Sequence, residues 1–100
     1  MSKRSSSQWE TVGQIGVDAG MCWLGDPCYI IHRKQPEPGI GANWHEFVEH
    51  MYAKGEESQH AQFGRALGVC VCTGYGDGVY DVQVRKTKEG RIKEVRIKFI

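Results

Sequence analysis

Cysteine and histidine are the residue types in this chain best suited to metal binding, and each occurs four times. The cysteines lie in the patterns Cys22-x₅-Cys28 and Cys70-x-Cys72, and neither has the paired-ligand spacing of a structural zinc site. On a strand, Cys70 and Cys72 would share one face, where they are either a two-cysteine half-site or small apolar side chains. The second interpretation is favoured, so free thiols and no metal are predicted.

The segment from His45 to His50 resembles a metalloprotease helix, with two histidines flanking a glutamate. Residues five apart lie on different faces of a helix, so these two histidines cannot share a metal ion. The spacing instead places His45 near Glu49, and Glu46 near His50, as surface pairs. A solvated helix face is therefore predicted.

A cysteine nucleophile would need a neighbouring base and a carboxylate, for which Cys28, His32 and Asp26 are the candidates. Acid–base chemistry by Asp18, Asp26 and Asp77, which lie in glycine-rich bends, is a second option. Aspartate in such bends more commonly accepts hydrogen bonds from backbone amides. We therefore predict no catalytic residues and no cofactor.

The segment Gly74-Tyr-Gly-Asp-Gly78 is rich enough in glycine to point backbone amides at a phosphate. It lacks the lysine and the following helix of a P-loop, and Asp77 would repel a phosphate. The segment is predicted to be the tight turn of a hairpin.

Positive charge is concentrated at the end of the chain. Residues 1–84 carry six Lys/Arg and ten Asp/Glu, whereas residues 85–100 carry seven Lys/Arg and two Glu, so the net charges are −4 and +5. Alternation places Arg85, Arg96 and Lys98 on the outer face of a C-terminal hairpin. This face would attract phosphates or an acidic partner, or it would protect an edge strand from aggregation.

The strands that carry these residues are predicted from apolar runs and period-two alternation. Two or three short strands are expected within residues 14–31, with bends at 18–20 and 25–27. A central strand is expected at 67–73. Alternation also predicts two paired strands, with Tyr80, Val82 and Val84 facing inward on one and Val95, Ile97 and Phe99 on the other, joined near residues 88–90. Residues 33–43 and 56–66 are predicted to be loops.

One amphipathic helix is predicted after Asn43, a suitable N-cap, with Glu46 completing a capping pair and Gly55 as the terminator. Its apolar residues follow a helical period. They are Trp44, Phe47, Val48, Met51 and Tyr52.

The composition is that of an ordinary globular domain. We predict a flexible N-terminal tail over residues 1–10 and a single α+β domain over residues 11–100. Its fold is a small antiparallel sheet, open or barrel-like, with one helix and a C-terminal hairpin. A chain of this length is expected to have a modest core, so homo-oligomer formation, which would bury more surface, is a further expectation. No signal peptide or membrane-spanning run is recognised, so a cytoplasmic location and no membrane partner are expected.

Two segments carry a family resemblance: Gly25-Asp-Pro-Cys-Tyr-Ile30 and Thr73-Gly-Tyr-Gly-Asp-Gly-Val-Tyr-Asp-Val82. Together they resemble a group of small bacterial and phage proteins of uncharacterised activity, which share a GDPCY segment and a C-terminal GxGDGxYxV hairpin. The resemblance covers residues 13–31 and 67–99. It implies, by analogy with compact phage domains, a binding protein that sequesters a ligand or blocks a host protein.

We therefore predict a non-enzymatic binding protein for an anionic or nucleotide-like small molecule. The alternative is an interaction module that binds an acidic protein through its basic hairpin. The predicted site would use tyrosines for stacking, aspartates as acceptors and arginines for phosphate. These residues are Asp26, Tyr29, Tyr75, Asp77, Tyr80, Arg85 and Arg96.

Overall fold

The computed structural model of the chain describes residues 8–31 and 39–100. Within them lie six strands and one α-helix, with short 3₁₀ turns at Pro27–Tyr29 and Glu56–Ser58. This content confirms the α+β class. In chain order the elements are β1 (Glu10–Val17), β2 (Met21–Gly25), α1 (Trp44–Met51), β3 (His60–Phe63), β4 (Gly68–Cys72), β5 (Gly78–Lys86) and β6 (Ile92–Ile97).

The described residues divide into two compact units. We call residues 8–20 with 74–100 the terminal unit, and the described part of residues 21–73 the central unit. The terminal unit contains an antiparallel sheet of order β1-β5-β6, and the central unit one of order β2-β4-β3. The prediction of one sheet is therefore wrong. Each sheet keeps two edge strands, so neither closes into a barrel.

Strands β5 and β6 form the predicted C-terminal hairpin. Val84 pairs with Val95 and Gln83 with Arg96 across it. At the turn the Thr87 amide donates to the Arg91 carbonyl over 2.8 Å. The predicted alternation is confirmed along β5, but Val95 on β6 is 57% exposed. An edge strand has a neighbour on one side only, so fewer residues are available to cover its apolar side chains.

The segment from Gly74 to Gly78 does not close a hairpin, contrary to the prediction. It connects β4 to β5, and these strands belong to different sheets. Gly76 has a φ of +105°, in the region that glycine occupies without steric cost. The chain bends sharply here, as predicted. The strands on either side of the bend, β4 and β5, do not pair with each other.

The prediction of a loop over residues 56–66 is also wrong, because this range contains β3. The strand is four residues long and alternates from the exposed His60 to the fully buried Phe63. It is an edge strand, so only its inward residues need to be apolar. Its polar outward residues make the segment resemble a loop in the sequence.

The helix begins where the sequence predicts. The Asn43 side chain accepts a hydrogen bond from the Glu46 amide over 2.9 Å. The Glu46 carboxylate in turn accepts from the Ala42 amide over 2.8 Å, one residue before the cap. The helix ends at Met51, earlier than the predicted terminator Gly55 implied.

We expect Asn43→Ala to lower the free energy of unfolding by about 1 kcal/mol, because the Glu46 amide would lose its acceptor. Urea denaturation of the two proteins measures this difference. Asn43→Asp is the matched control, since aspartate retains the acceptor, and it should unfold close to the wild-type midpoint. Equal losses in both variants would show that the cap does not act through this bond.

The core of the central unit lies between α1 and one face of the β2-β4-β3 sheet. Met51, Phe63 and Cys70 are almost completely buried there. Phe47 stacks on Phe63 with ring centroids 4.4 Å apart, and Trp23 meets Phe63 edge-on at 5.3 Å. The predicted apolar face of the helix is therefore confirmed by its buried and half-buried members, whereas its first residue, Trp44, is 59% exposed.

Candidate anion-binding site

The seven predicted site residues are divided between the two units. Asp26 and Tyr29 belong to the central unit. The others belong to the terminal unit, and they are Tyr75, Asp77, Tyr80, Arg85 and Arg96.

Asp26 stabilises a turn. Its Oδ1 accepts a hydrogen bond from the Cys28 amide over 2.9 Å and caps the 3₁₀ turn that ends at Tyr29. This bond, together with one from the Cys28 side chain, lowers the pKa of the Asp26 carboxyl. Tyr29 is half-buried at the end of the turn. His32, the base considered for a Cys28 nucleophile, lies outside the described residues.

The three residues around the glycine-rich bend differ in exposure. Tyr75 is 75% exposed, and Asp77 is exposed as well. Tyr80 is only 7% exposed, its hydroxyl donates to the Gly76 carbonyl over 2.5 Å, and its ring meets Phe99 edge-on at 5.2 Å. Tyr75 therefore offers an aromatic face for stacking, whereas the Tyr80 ring has little free surface.

Arg85 and Arg96 lie on one face of the terminal sheet, as the alternation predicts. Gln83 is paired with Arg96 and Arg85 with Glu94, and directly paired residues of antiparallel strands share a face. Thr11 of β1 is paired with Gln83, which extends this face across all three strands. We call this side of the sheet the polar face.

Trp9 covers both arginines. Its ring centroid lies 4.2 Å from the Arg96 guanidinium carbon and 5.4 Å from that of Arg85. At these distances the cations are attracted to the electron-rich ring face. Sequence reasoning missed Trp9 because it falls within the predicted tail. No local sequence signal identifies this contact, because it depends on the pairing of β1 with β5.

The two arginines differ in charge compensation. Arg85 forms an ion pair with Glu94 over 3.1 Å. Arg96 instead donates twice to the Gln83 amide oxygen, from Nε over 3.0 Å and from a terminal nitrogen over 2.7 Å. No carboxylate in the described residues forms an ion pair with Arg96. Because this partner is neutral, the positive charge of Arg96 is not compensated through these bonds, which also orient its guanidinium.

A shallow groove of about 310 Å³ lies beside Gln83. Its walls include Val79, Tyr80, Asp81 and Lys98. Asp81 accepts a hydrogen bond from the Gln14 side chain over 2.9 Å, so part of its acceptor capacity is used within the sheet. Lys98 is the cation among the described residues that line the groove, and it can bind an anionic group there. Arg96 is bonded to Gln83, which also lines the groove.

The cysteines do not contribute to the polar face. Cys22 and Cys70 are buried, Cys72 is half-buried, and all four cysteines are free thiols. Burial, with the neighbouring Cys72 and Cys22, raises the pKa of the Cys70 thiol from 9.0 to about 11. Across the described ranges, no three His, Cys, Asp or Glu side chains are grouped to hold a metal ion.

The raised pKa of Cys70 predicts a pH dependence of stability. Between 9.0 and about 11 the unfolded chain loses this proton before the folded chain does, so folding becomes less favourable as the pH rises. The difference in unfolding free energy between pH 8 and pH 10.5 should be smaller in Cys70→Ala than in wild type. Denaturation at both pH values measures it, and identical losses would contradict the assignment.

Within the part of the chain that the structure describes, no helix is long and apolar enough to cross a membrane. Comparison with family models, curated proteins and solved structures found no match to the chain.

Proposed function

We propose that this chain is a small non-enzymatic binding protein that holds an anionic group on the polar face of its terminal sheet. The anion is a phosphate or a carboxylate of a small ligand, and a nucleotide is the class that best combines charge with an aromatic surface such as Tyr75. The observation that carries the proposal is the arrangement of Arg96, which is held by Gln83 and Trp9 and forms no ion pair with a described carboxylate.

Preorganisation is the physical reason for choosing Arg96. An arginine that is already immobilised loses little conformational entropy when a ligand binds. Its two bonds to Gln83 leave other guanidinium N–H groups as donors, and a guanidinium can bind phosphate or carboxylate through two parallel bonds. Lys98 supplies further positive charge along the groove.

Binding is favoured over catalysis because the described residues of the polar face include cations and amides but no nucleophile beside a base. Its carboxylates have partners within the sheet, Asp81 accepting from Gln14 and Glu94 pairing with Arg85. The free thiols support a reducing compartment such as the cytoplasm as the place of action. The proposal includes self-association of the chain, which native mass spectrometry can test.

A second candidate is the binding of an acidic protein by the basic hairpin. The observation in its favour is the edge strand β6, where Ile92 is 59% exposed and Val95 57% exposed beside lysines and arginines. An exposed edge can accept a further strand from a partner. A protein partner would use these apolar side chains, whereas a small anion would not.

Native mass spectrometry of the full chain, purified gently from the cells that express it, distinguishes the two candidates. An adduct of nucleotide size on the chain or its oligomer supports the first. A complex with a second protein that dissociates as salt is raised supports the second. A bare chain that also fails to retain added nucleoside triphosphate would contradict the first proposal.

A further inference from the structure

The shallow groove beside Gln83 contains charges of both signs. Asp81 supplies a carboxylate and Lys98 an ammonium group. No ion pair joins these two side chains to each other or to another described residue. A ligand that enters the groove therefore meets one negative and one positive group, and neither is neutralised by a described partner.

Asp81 is held in a defined orientation. It is paired with Gln14 across β1 and β5, and its Oδ1 accepts a hydrogen bond from the Gln14 side chain over 2.9 Å. An ionised carboxylate has about four acceptor positions, so this bond leaves most of them for a ligand. A phosphate bound at Lys98 would be repelled by this carboxylate unless the ligand also brings a positively charged donor.

The strand register sets the separation between Arg96 and Asp81. Arg96 is directly paired with Gln83, and Asp81 is two residues from Gln83 on the same strand and the same face. Such diagonal neighbours are about 7–8 Å apart. An amine joined to a phosphate by a two-carbon linker can span this separation, because a hydrogen bond at each end adds to its length.

The lining limits the size of the ligand. The groove has a volume of about 310 Å³, which is at the lower end of small-molecule sites. Val79 is 65% exposed, whereas Tyr80 is only 7% exposed, so the Tyr80 ring offers little surface for stacking. The groove therefore fits the charged part of a ligand and a short linker.

We infer that the groove recognises an aminoalkyl phosphate, with its phosphate at Lys98 and Arg96 and its ammonium group at Asp81. This inference rests on the proposed function, since the phosphate occupies the same anion site, and it adds a second requirement to the ligand. Inorganic phosphate and pyrophosphate lack the ammonium group, so they meet only the first requirement. Asp81 is the residue that determines this specificity.

The test is an NMR titration of the full ¹⁵N-labelled chain with O-phosphoethanolamine, compared with propyl phosphate, in which a methyl group replaces the ammonium group. Saturable amide shifts are expected for both ligands along β5 and near Lys98. The affinity for O-phosphoethanolamine should be about two- to fivefold higher than that for propyl phosphate, the range of one exposed ion pair.

Asp81→Asn is the variant that tests the role of the carboxylate. Asparagine keeps an acceptor for Gln14 but removes the charge, so the ratio of the two affinities should fall to about one while propyl phosphate still binds. Glu89→Gln is the matched control, because Glu89 is an exposed carboxylate in the turn between β5 and β6, outside the groove. This control should leave the ratio unchanged.

The headgroup of phosphatidylethanolamine has related chemistry, so a second arm measures sedimentation of the chain with vesicles of that lipid and with vesicles of phosphatidylcholine. The chain should stay in the supernatant with both, because the groove takes a free phosphomonoester. Sedimentation with phosphatidylethanolamine that Asp81→Asn abolishes would assign the groove to a lipid headgroup and overturn the free ligand.

The titrations separate this inference from the proposed function. Equal affinities of the wild type for O-phosphoethanolamine and propyl phosphate, or a preference that persists in Asp81→Asn, would overturn the inference while the anion site stands. Absence of saturable shifts with both propyl phosphate and inorganic pyrophosphate would instead overturn the anion site, and the inference with it.

Discussion

Replacing Phe63 with alanine is expected to lower the free energy of unfolding by about 3–5 kcal/mol, the usual cost of removing a buried phenylalanine. The residue is completely buried. Phe47 stacks on its ring at 4.4 Å and Trp23 meets it edge-on at 5.3 Å, so the cavity would be lined by rings that cannot easily collapse into it. Guanidinium denaturation followed by tryptophan fluorescence measures the loss.

Two control variants test whether the loss of stability comes from the core position of Phe63. Phe63→Leu refills most of the cavity and should lose less stability than Phe63→Ala. Val79→Ala removes methyl groups from a residue that is 65% exposed, and it should change the unfolding free energy by no more than about 0.5 kcal/mol. A loss in Phe63→Ala no greater than in Val79→Ala would show that β3 does not contribute to the core as described.

Gly68→Ala is expected to lower the free energy of unfolding by about 1–3 kcal/mol through overpacking. A methyl group at this position would overlap the ring of Trp23. The ring is confined by Phe47 and Phe63 on other sides, so it cannot move away without disturbing the core. Thermal and chemical denaturation both report the effect.

Gly16→Ala is the matched control for this prediction. Gly16 also lies within a strand, and no atom comes within 4 Å of a methyl group placed there. The substitution should be neutral or slightly stabilising, because alanine restricts the unfolded chain more than glycine does. If Gly16→Ala were as destabilising as Gly68→Ala, the loss would come from strand glycines in general rather than from the contact with Trp23.

Local structure was predictable where several short-range signals agree. At the helix start, Asn43 and Glu46 form backbone bonds that depend only on neighbouring residues. Along β5, Tyr80 and Val84 alternate with polar residues and are both buried. Capping and alternation act over a few residues, so a single sequence is sufficient to identify them.

Strand partners were not predictable in the same way. The bend at residues 74–78 looks like a hairpin turn, yet β4 pairs with β2 and β3 while β5 pairs with β1 and β6. Consecutive strands often pair, but this tendency is only statistical. The edge strand β3 was missed because a strand of four residues provides too few alternations to establish a period.

The candidate site was likewise predictable in part. Alternation places Arg85 and Arg96 on one face, and the register confirms it. The sequence does not reveal that Arg85 is paired with Glu94 while Arg96 is bound by the neutral Gln83. Nor does it reveal Trp9 above both, because that contact depends on how β1 pairs with β5.

The most direct test of anion binding on the polar face is an NMR titration of the full chain with inorganic pyrophosphate at low ionic strength. Amide shifts are expected along β5 and β6, and Arg96→Gln should weaken binding about tenfold or more, because a charge-assisted hydrogen bond would be lost. The control is the double variant Arg85→Gln/Glu94→Gln, which removes an ion pair without changing the net charge and should bind nearly as well as wild type. Unchanged affinity in Arg96→Gln, or a larger loss in the double variant, would contradict the proposal.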